Sequence, residues 1–329
     1  MMTQKEYVKS IKDKWLVRKQ KRLTSKQEEE ETNKLNKIQR GTNIFFNVVF
    51  ILASLACILP VVFVFMISIS SEKSLSLYGY RFIPEIFSIS AYQFLWNEKI
   101  EIARALWISI LITGAGTFIG LLLTTTMGYV LSRPVFKLKN FYTWVVFIPM
   151  IFNGGMVAQY VVNVNILQMK DTMWALVLPL AVSSFNIMIS KTFFRTTIPD
   201  SIIESAKIDG ASQLHIFTRI VMPISKPVFA TIGLFLTFTY WNDWFQSSLY
   251  IGKKDLVSLQ ALLNNMLKNI QYIANNPAAG LSLQQYRNAM PTESVRMAIA
   301  ILIVVPIACA YPFFQKYFIS GLTVGAIKG

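Results

Sequence analysis

Histidine and cysteine are nearly absent from this chain: His215 stands alone, with Cys57 and Cys309, in 329 residues. That scarcity excludes histidine-based metal clusters and most His-dependent nucleophile constellations. Both cysteines fall inside long apolar runs, where a small buried side chain is expected rather than a disulfide or a metal ligand. Charge is scarce too, at 15% of residues, where a soluble domain carries about a quarter. No G-x-x-x-x-G-K-[ST] phosphate loop occurs, so no nucleotide site of that kind is expected, and no cofactor or metal. Acidic residues are outnumbered, 17 against 32 Lys and Arg. The excess lies in a tail and in membrane-flanking loops rather than on one folded face, which argues against nucleic acid as a partner.

What is present is apolar chain, 53% of the sequence. Six runs have the length of a membrane crossing, roughly 44–69, 106–131, 142–163, 173–194, 228–249 and 296–314. The expected fold class is therefore an all-α membrane protein with six transmembrane helices in one domain, 44–329. Residues 1–43 form a separate tail with twelve Lys/Arg against six Asp/Glu. A basic stretch there (Lys12 to Arg22) precedes an acidic one (Glu28 to Glu31), and the tail is too charged for a cleavable leader. It reads as a solvated arm near anionic headgroups or as a partner-binding arm. Placing both termini inside puts 22 Lys/Arg in inside segments and 9 in outside loops, so both termini are expected in the cytoplasm.

Several segments stand out against this frame. Residues 70–105 combine balanced charge with many aromatics and predict short helical pieces along the membrane surface. The third run carries Pro149 and Asn153-Gly154-Gly155 at mid-depth, which suits either a packing kink or a flexible wall of a solute path. The long outside loop 250–295 contains an amphipathic piece on which Leu259, Leu262, Leu263, Met266 and Ile270 share one face. It would cover the outer mouth or touch an external partner. Polar residues within spans are candidates for a solute path. Asp243 is the one carboxylate in a span, beside Tyr240, Trp241 and Asn242, and aromatic faces with polar neighbours suit sugars. An interfacial aromatic belt with a capping Asp explains the same cluster. Asn153 and Asn186, with Gln159, Ser183 and Ser184, are weaker candidates that interhelical hydrogen bonding also explains.

The most informative stretch is the polar insert 195–226 between two spans. Ile198-Pro199-Asp200 predicts a helix start, with Pro in the first turn and Asp at the positive dipole end. Gly210 supplies a left-handed stop, and Ser212 is placed to cap a second helix that Pro223 limits. Two short helices bent at Gly210 make a knob whose charges rim apolar anchors, the layout of a docking surface.

The pattern Glu204-Ser-Ala206-x-x-Asp209-Gly210-Ala, followed after eight residues by Ile220-x-Met-Pro223, resembles the EAA loop of binding-protein-dependent ABC importer permeases. The spacings Glu204 to Gly210 and Gly210 to Ile220 match that loop, with Ser205 and Met222 as mild departures. Together with Trp241-Asn-Asp-Trp-Phe245 and the ending from Tyr311 to Gly329, it resembles the MalG-type carbohydrate branch, nearest its lipoprotein-dependent oligosaccharide and polysaccharide permeases. The resemblance implies a type I importer permease fold with a cytoplasmic coupling helix in a bacterial cell membrane. It implies a second related permease, two cytoplasmic ATPase subunits that bind ATP and Mg, and an external sugar-binding lipoprotein. Under it Glu204 contacts the ATPase and Gly210 is the bend. Ile202, Leu214 and Phe217 are apolar anchors, and the loop's Ala206, Asp209, Ile220 and Pro223 belong to the same coupling surface. The loop 250–295 would reach the binding protein, and the tail 315–329 the ATPase pair. The chain would transmit force and catalyse nothing. A permease for another solute such as peptide, and a self-contained secondary transporter, are the alternatives; the latter would want more intramembrane carboxylates than Asp243.

Overall fold

Side chains that fit a lipid solvent dictate a helical chain, since every backbone polar group must find its partner within its own segment. A computed structural model describes residues 40–275 and 292–326, and all of its regular elements there are helical; one isolated bridge pairs Ser70 with Phe87. The basic and acidic stretches of the tail, and the polar segment 276–291, lie outside the described residues. The chain divides after Val62 into two compact units.

The described part of the first unit is the beginning of α1 (Arg40–Ser68), a helix of 29 residues with Pro60 inside it. Its side chains, such as Phe45, Phe50 and Leu52, are exposed and apolar, as a lipid-facing helix requires. Cys57 is exposed in this helix, and Cys309 is exposed in the last one. Both were expected to be buried. Inside a bilayer, however, the surface of a single chain is itself apolar, so a thiol gains nothing by turning inward.

The second unit is built around α4 (Lys99–Ser132), 34 residues long and about 50 Å in length. Before it come the short helices α2 (Glu72–Tyr78) and α3 (Ser90–Asn97), the surface pieces expected within 70–105. Gly116, Gly120, Thr124, Gly128 and Ser132 recur every fourth residue on α4 and are all buried. This small-residue face lets α8 (Ser184–Thr197) and α11 (Lys226–Trp241) lie close against it. A Cβ on Gly128 would sit 2.5 Å from the Ser190 Cβ, so backbone proximity there depends on glycine.

The apolar runs do not all become single helices. By length and composition three helices qualify as membrane spans, Arg40–Ser68, Lys99–Ser132 and Thr292–Cys309, the last within α14 (Thr292–Ala326). Counting bent pairs raises the number to five. The third run is α5 (Lys139–Ile151), a break at Phe152–Gly154, then α6 (Gly155–Val161) and a π-helical turn to Ile166. The fourth is α7 (Trp174–Ala181) and α8, bent by 47° at Val182–Ser183. The fifth stops at Trp241 and resumes as α12 (Phe245–Tyr250), because the Asp243 carboxylate accepts the Gln246 N–H (3.2 Å) and starts a new helix there.

Two large clusters fill most of this unit, with smaller ones around Leu131 and Tyr250. One large cluster gathers Tyr129, Phe194, Phe217, Ile232 and Leu236; the other gathers Leu95, Ala105, Trp241, Leu259, Leu263 and Val295. Ala105 and Tyr129 are 24 positions apart on α4, about 36 Å, and the Tyr129 cluster extends along the helix to Ile112 and Tyr240, next to Ala105 and Trp241 of the other. At the Ala105 end α13 (Leu259–Asn275) packs on α4 and α14, burying Leu259, Leu263 and Ile270 as the amphipathic pattern predicted. The Glu72 carboxylate from α2 accepts the N–H groups of Glu293 (2.9 Å) and Ser294 (3.2 Å) and both nearby hydroxyls, capping the start of α14 from outside.

Candidate functional site

The insert folds as two helices on the Tyr129 cluster. Pro199, in extended conformation, precedes α9 (Asp200–Ile208), with Asp200 in its first turn and Lys207 in its last, both complementary to the helix dipole. Gly210 follows at φ +80°, in the region that disfavours any side chain. The Ser212 hydroxyl then accepts the His215 N–H (3.3 Å), capping α10 (Gln213–Ile224). Within α10 the segment Ile216–Val221 widens into a π-helical turn. An 85° bend at Ser225 separates α10 from α11.

One face of this pair is buried: Ile203, Ala206, Ile216, Phe217 and Val221. The ring of Phe217 lies 5.1 Å from that of Tyr129, and Tyr129 meets Phe194 edge-on at 5.9 Å. Phe217 thus holds the insert onto the spans and is not one of its outward anchors, and Ala206 serves the same inner face. Ile220 is half-buried against the same cluster. The outward face carries Glu204, Asp209 and Pro223, with Ile202 and Leu214 exposed. It also carries Ile208, 86% exposed at the end of α9. Position could have signalled Ile208, an apolar side chain beside Asp209 and Gly210 in a polar insert. Beneath the bend, Ala206, Asp209, Gly210, His215 and Ile220 border a concave space of about 560 Å³. A second groove of about 480 Å³ runs between the insert and the end of α4, bordered by Tyr129, Arg133, Phe136, Glu204, Leu214 and Phe217.

Arg133 follows directly on the last residue of α4. Its guanidinium bonds to three different groups: the Ser132 hydroxyl (2.9 Å), the Phe194 carbonyl (2.8 Å) and the Asp200 carboxylate (3.1 Å). It also lies 5.3 Å from the Tyr129 ring.

The proposed solute-path residues separate into two groups. Asn153 and Asn186 border one cavity of about 1040 Å³ where α5–α6 and α7–α8 are both broken. Gln159, Ser183 and Ser184 line it as well, as do Asn163 and Thr239, which no sequence signal distinguished. Helix breaks leave backbone groups without intrahelical partners, and such groups are tolerated at membrane depth only where they face protein or a wet cavity. Tyr240, Trp241, Asn242 and Asp243 do not line that cavity. Tyr240 is buried and donates to the Val177 carbonyl (2.6 Å), while Trp241 belongs to the Ala105 cluster. The Asn242 amide donates to the Phe238 carbonyl (2.9 Å), and Asp243 caps α12. These four organise the end of a helix.

Among the described residues no group of three or more His, Cys, Asp and Glu side chains could hold a metal. The family model described as binding-protein-dependent transport system inner membrane component matches residues 116–324, which include the whole insert. The chain is 37% identical to Protein LplC of Bacillus subtilis (strain 168) over 83% of its own length and 90% of that protein. It is 34% identical to the polygalacturonan/rhamnogalacturonan transport system permease protein YtcP of the same organism, over 84% and 94%. Among solved structures it is similar to a bacterial ABC transporter involved in the import of the acidic polysaccharide alginate, with a TM-score of 0.72 and 25% identity over 86% of this chain and 99% of that one. The chain belongs to the family of binding-protein-dependent transport system inner membrane components.

Proposed function

We propose that this chain is the permease subunit of an ATP-driven importer for oligosaccharides released from polysaccharides, and that its insert is the seat of the ATPase. The observation that carries the reading is the insert itself. It is a two-helix element fixed to the spans through Phe217 and Ile203, with Ile202, Ile208, Leu214 and Glu204 turned outward. Apolar tips ringed by charge are the composition of a docking surface. Relatives named as permeases for polygalacturonan/rhamnogalacturonan and for arabinooligosaccharides support the substrate class. In this reading six segments cross the membrane, both termini lie in the cytoplasm, and a second related permease completes the path. Two ATPase subunits bind ATP and Mg, and an external binding protein delivers the sugar. Nucleotide-driven closure of the ATPase pair would move the insert and swing the spans from inward-open to outward-open. The polar cavity around Asn153 and Asn186, rather than the Tyr240–Asp243 cluster, would face the sugar.

The test is cross-linking in the membrane. A bifunctional reagent on Ile208→Cys or Leu214→Cys, in a chain with Cys57 and Cys309 replaced by Ser, should capture a nucleotide-binding ATPase. Glu204→Lys should lower uptake of polygalacturonan- or rhamnogalacturonan-derived oligosaccharides at least about tenfold, the loss expected from one charge contact buried in the assembly. Absence of any ATPase cross-link from both positions would sink the reading.

A further inference from the structure

We infer that Arg133 is a positioning residue for coupling: a three-way strut that makes the insert and the ends of two spans move as one body. The inference rests on the insert being the ATPase seat. The side chain of Arg133 is only 11% exposed, although it leaves the chain just beyond the last residue of α4. Each of its three nitrogens meets a separate element. Nε donates to Ser132 at the end of α4, Nη2 to the Phe194 carbonyl in the last turn of α8, and Nη1 to Asp200 in the first turn of α9. The Phe194 carbonyl already accepts the Ile198 N–H at the end of α8 (3.3 Å) and takes Arg133 on its second lone pair. The Tyr129 ring backs the guanidinium at 5.3 Å, and the same ring touches Phe217 of the insert.

This arrangement uses properties that only arginine has. A planar fork holds its donors at fixed mutual angles, so three acceptors on three elements fix their relative orientation; a lysine ammonium is one rotatable point charge. The position matters because α8 leads into the insert through Ile198-Pro199 alone, and an extended residue beside a proline transmits little by itself. The packing of Ile203 and Phe217 also joins the insert to the spans, but apolar contact is non-directional. Arg133 adds the directional connection, which holds α9 at a fixed orientation to α4 and α8. It carries the motion to α4, whose buried face packs on α7, α8 and α11.

The experiment uses the whole transporter purified with its ATPase and placed in lipid nanodiscs. Spin labels are attached at Ile208→Cys on the insert and Leu138→Cys beyond α4, both exposed positions, with Cys57 and Cys309 replaced by Ser. The distance between the labels is measured without nucleotide and after trapping with ATP and vanadate. With Arg133 intact it should stay the same. In Arg133→Gln and in Arg133→Lys it should change by about 2 Å or more on trapping, the size of a helix shift at an interface. Asp200→Ala, which keeps two of the three bonds, should give a smaller change. A loss of fold alone would lower the yield of complex and broaden the distance equally with and without nucleotide. An unchanged distance in Arg133→Gln, with Ile208→Cys still cross-linking to the ATPase, overturns the strut and leaves the docking reading standing. Failure of the ATPase cross-link from both Ile208→Cys and Leu214→Cys, with Arg133 intact, overturns both.

Discussion

Gly210 and Gly128 are two glycines with opposite reasons. At Gly210 the space around a new Cβ is open, so the objection to a side chain lies wholly in φ +80°. Gly210→Val should therefore cost about 1–2 kcal/mol in the insert. Uptake should fall more steeply than the melting temperature of the purified complex, because the bend sets where Glu204 and Leu214 point. At Gly128 the backbone angle is ordinary and the obstacle is α8, with the Lys191 nitrogen 3.0 Å from the site of a Cβ. Gly128→Leu should cost about 1–3 kcal/mol by overpacking. It should show as a lower yield of folded protein in detergent, with uptake falling in proportion. Equal behaviour of the two variants would mean that the bend has no role of its own.

At the scale of elements, the unit's loops are joined by carboxylates that accept backbone N–H groups. Asp171, itself at φ 56°, accepts from Gly252 (2.5 Å) and Lys253 (3.1 Å), tying the turn before α7 to the chain beyond α12. Those two N–H bonds, followed by nearby lysines, hold its carboxyl below the usual carboxylate range. A depressed carboxylate favours the tied loop above its unfolded value and releases it as pH falls through the lower, folded value. Protection of the Gly252 and Lys253 amides, relative to free-amide exchange at the same pH, should hence be lost only well into the acid range, and Asp171→Ala should abolish it at neutral pH. Glu72 plays the matching part for α14, and its loss in Glu72→Ala should cost about 1–2 kcal/mol, as for a lost helix cap, read as a lower melting temperature. Tyr80 donates to Glu293 (2.8 Å) in the same corner, which pushes its phenol above the ordinary range.

Elements also mark where hydropathy stopped being informative. It located all six apolar runs but not the breaks at Val182–Ser183 and Asn242–Trp244, because hydropathy averages over a window and a break needs only one or two residues. Pro149 with Asn153-Gly154-Gly155 did announce the break in the third run, since those residues are backbone punctuation whatever surrounds them. The insert was readable for the same reason: Pro199, Gly210 and Ser212 act through local backbone chemistry. The side assigned to Phe217 was not readable, because both faces of α10 offer apolar residues and only the position of Tyr129 and Phe229 decides between them.

For the whole molecule, the exposed apolar surface of α1 and the exposed thiols Cys57 and Cys309 define a chain whose solvent is lipid or another permease. In native membranes, a membrane-permeant pyrene maleimide should label these thiols while a charged maleimide should not. Labelling by the charged reagent would place them along a water-filled path.

Composition and spacing alone determined that this is a helical membrane chain with a bent polar insert, because burial in lipid and backbone conformation at Gly and Pro are local properties. Only the tertiary structure decided which asparagines share a cavity, which aromatic rings hold the insert down, and which arginine bridges three helix ends. Those outcomes depend on distances between segments as far apart in sequence as Arg133 and Asp200, and no periodicity along the chain encodes them.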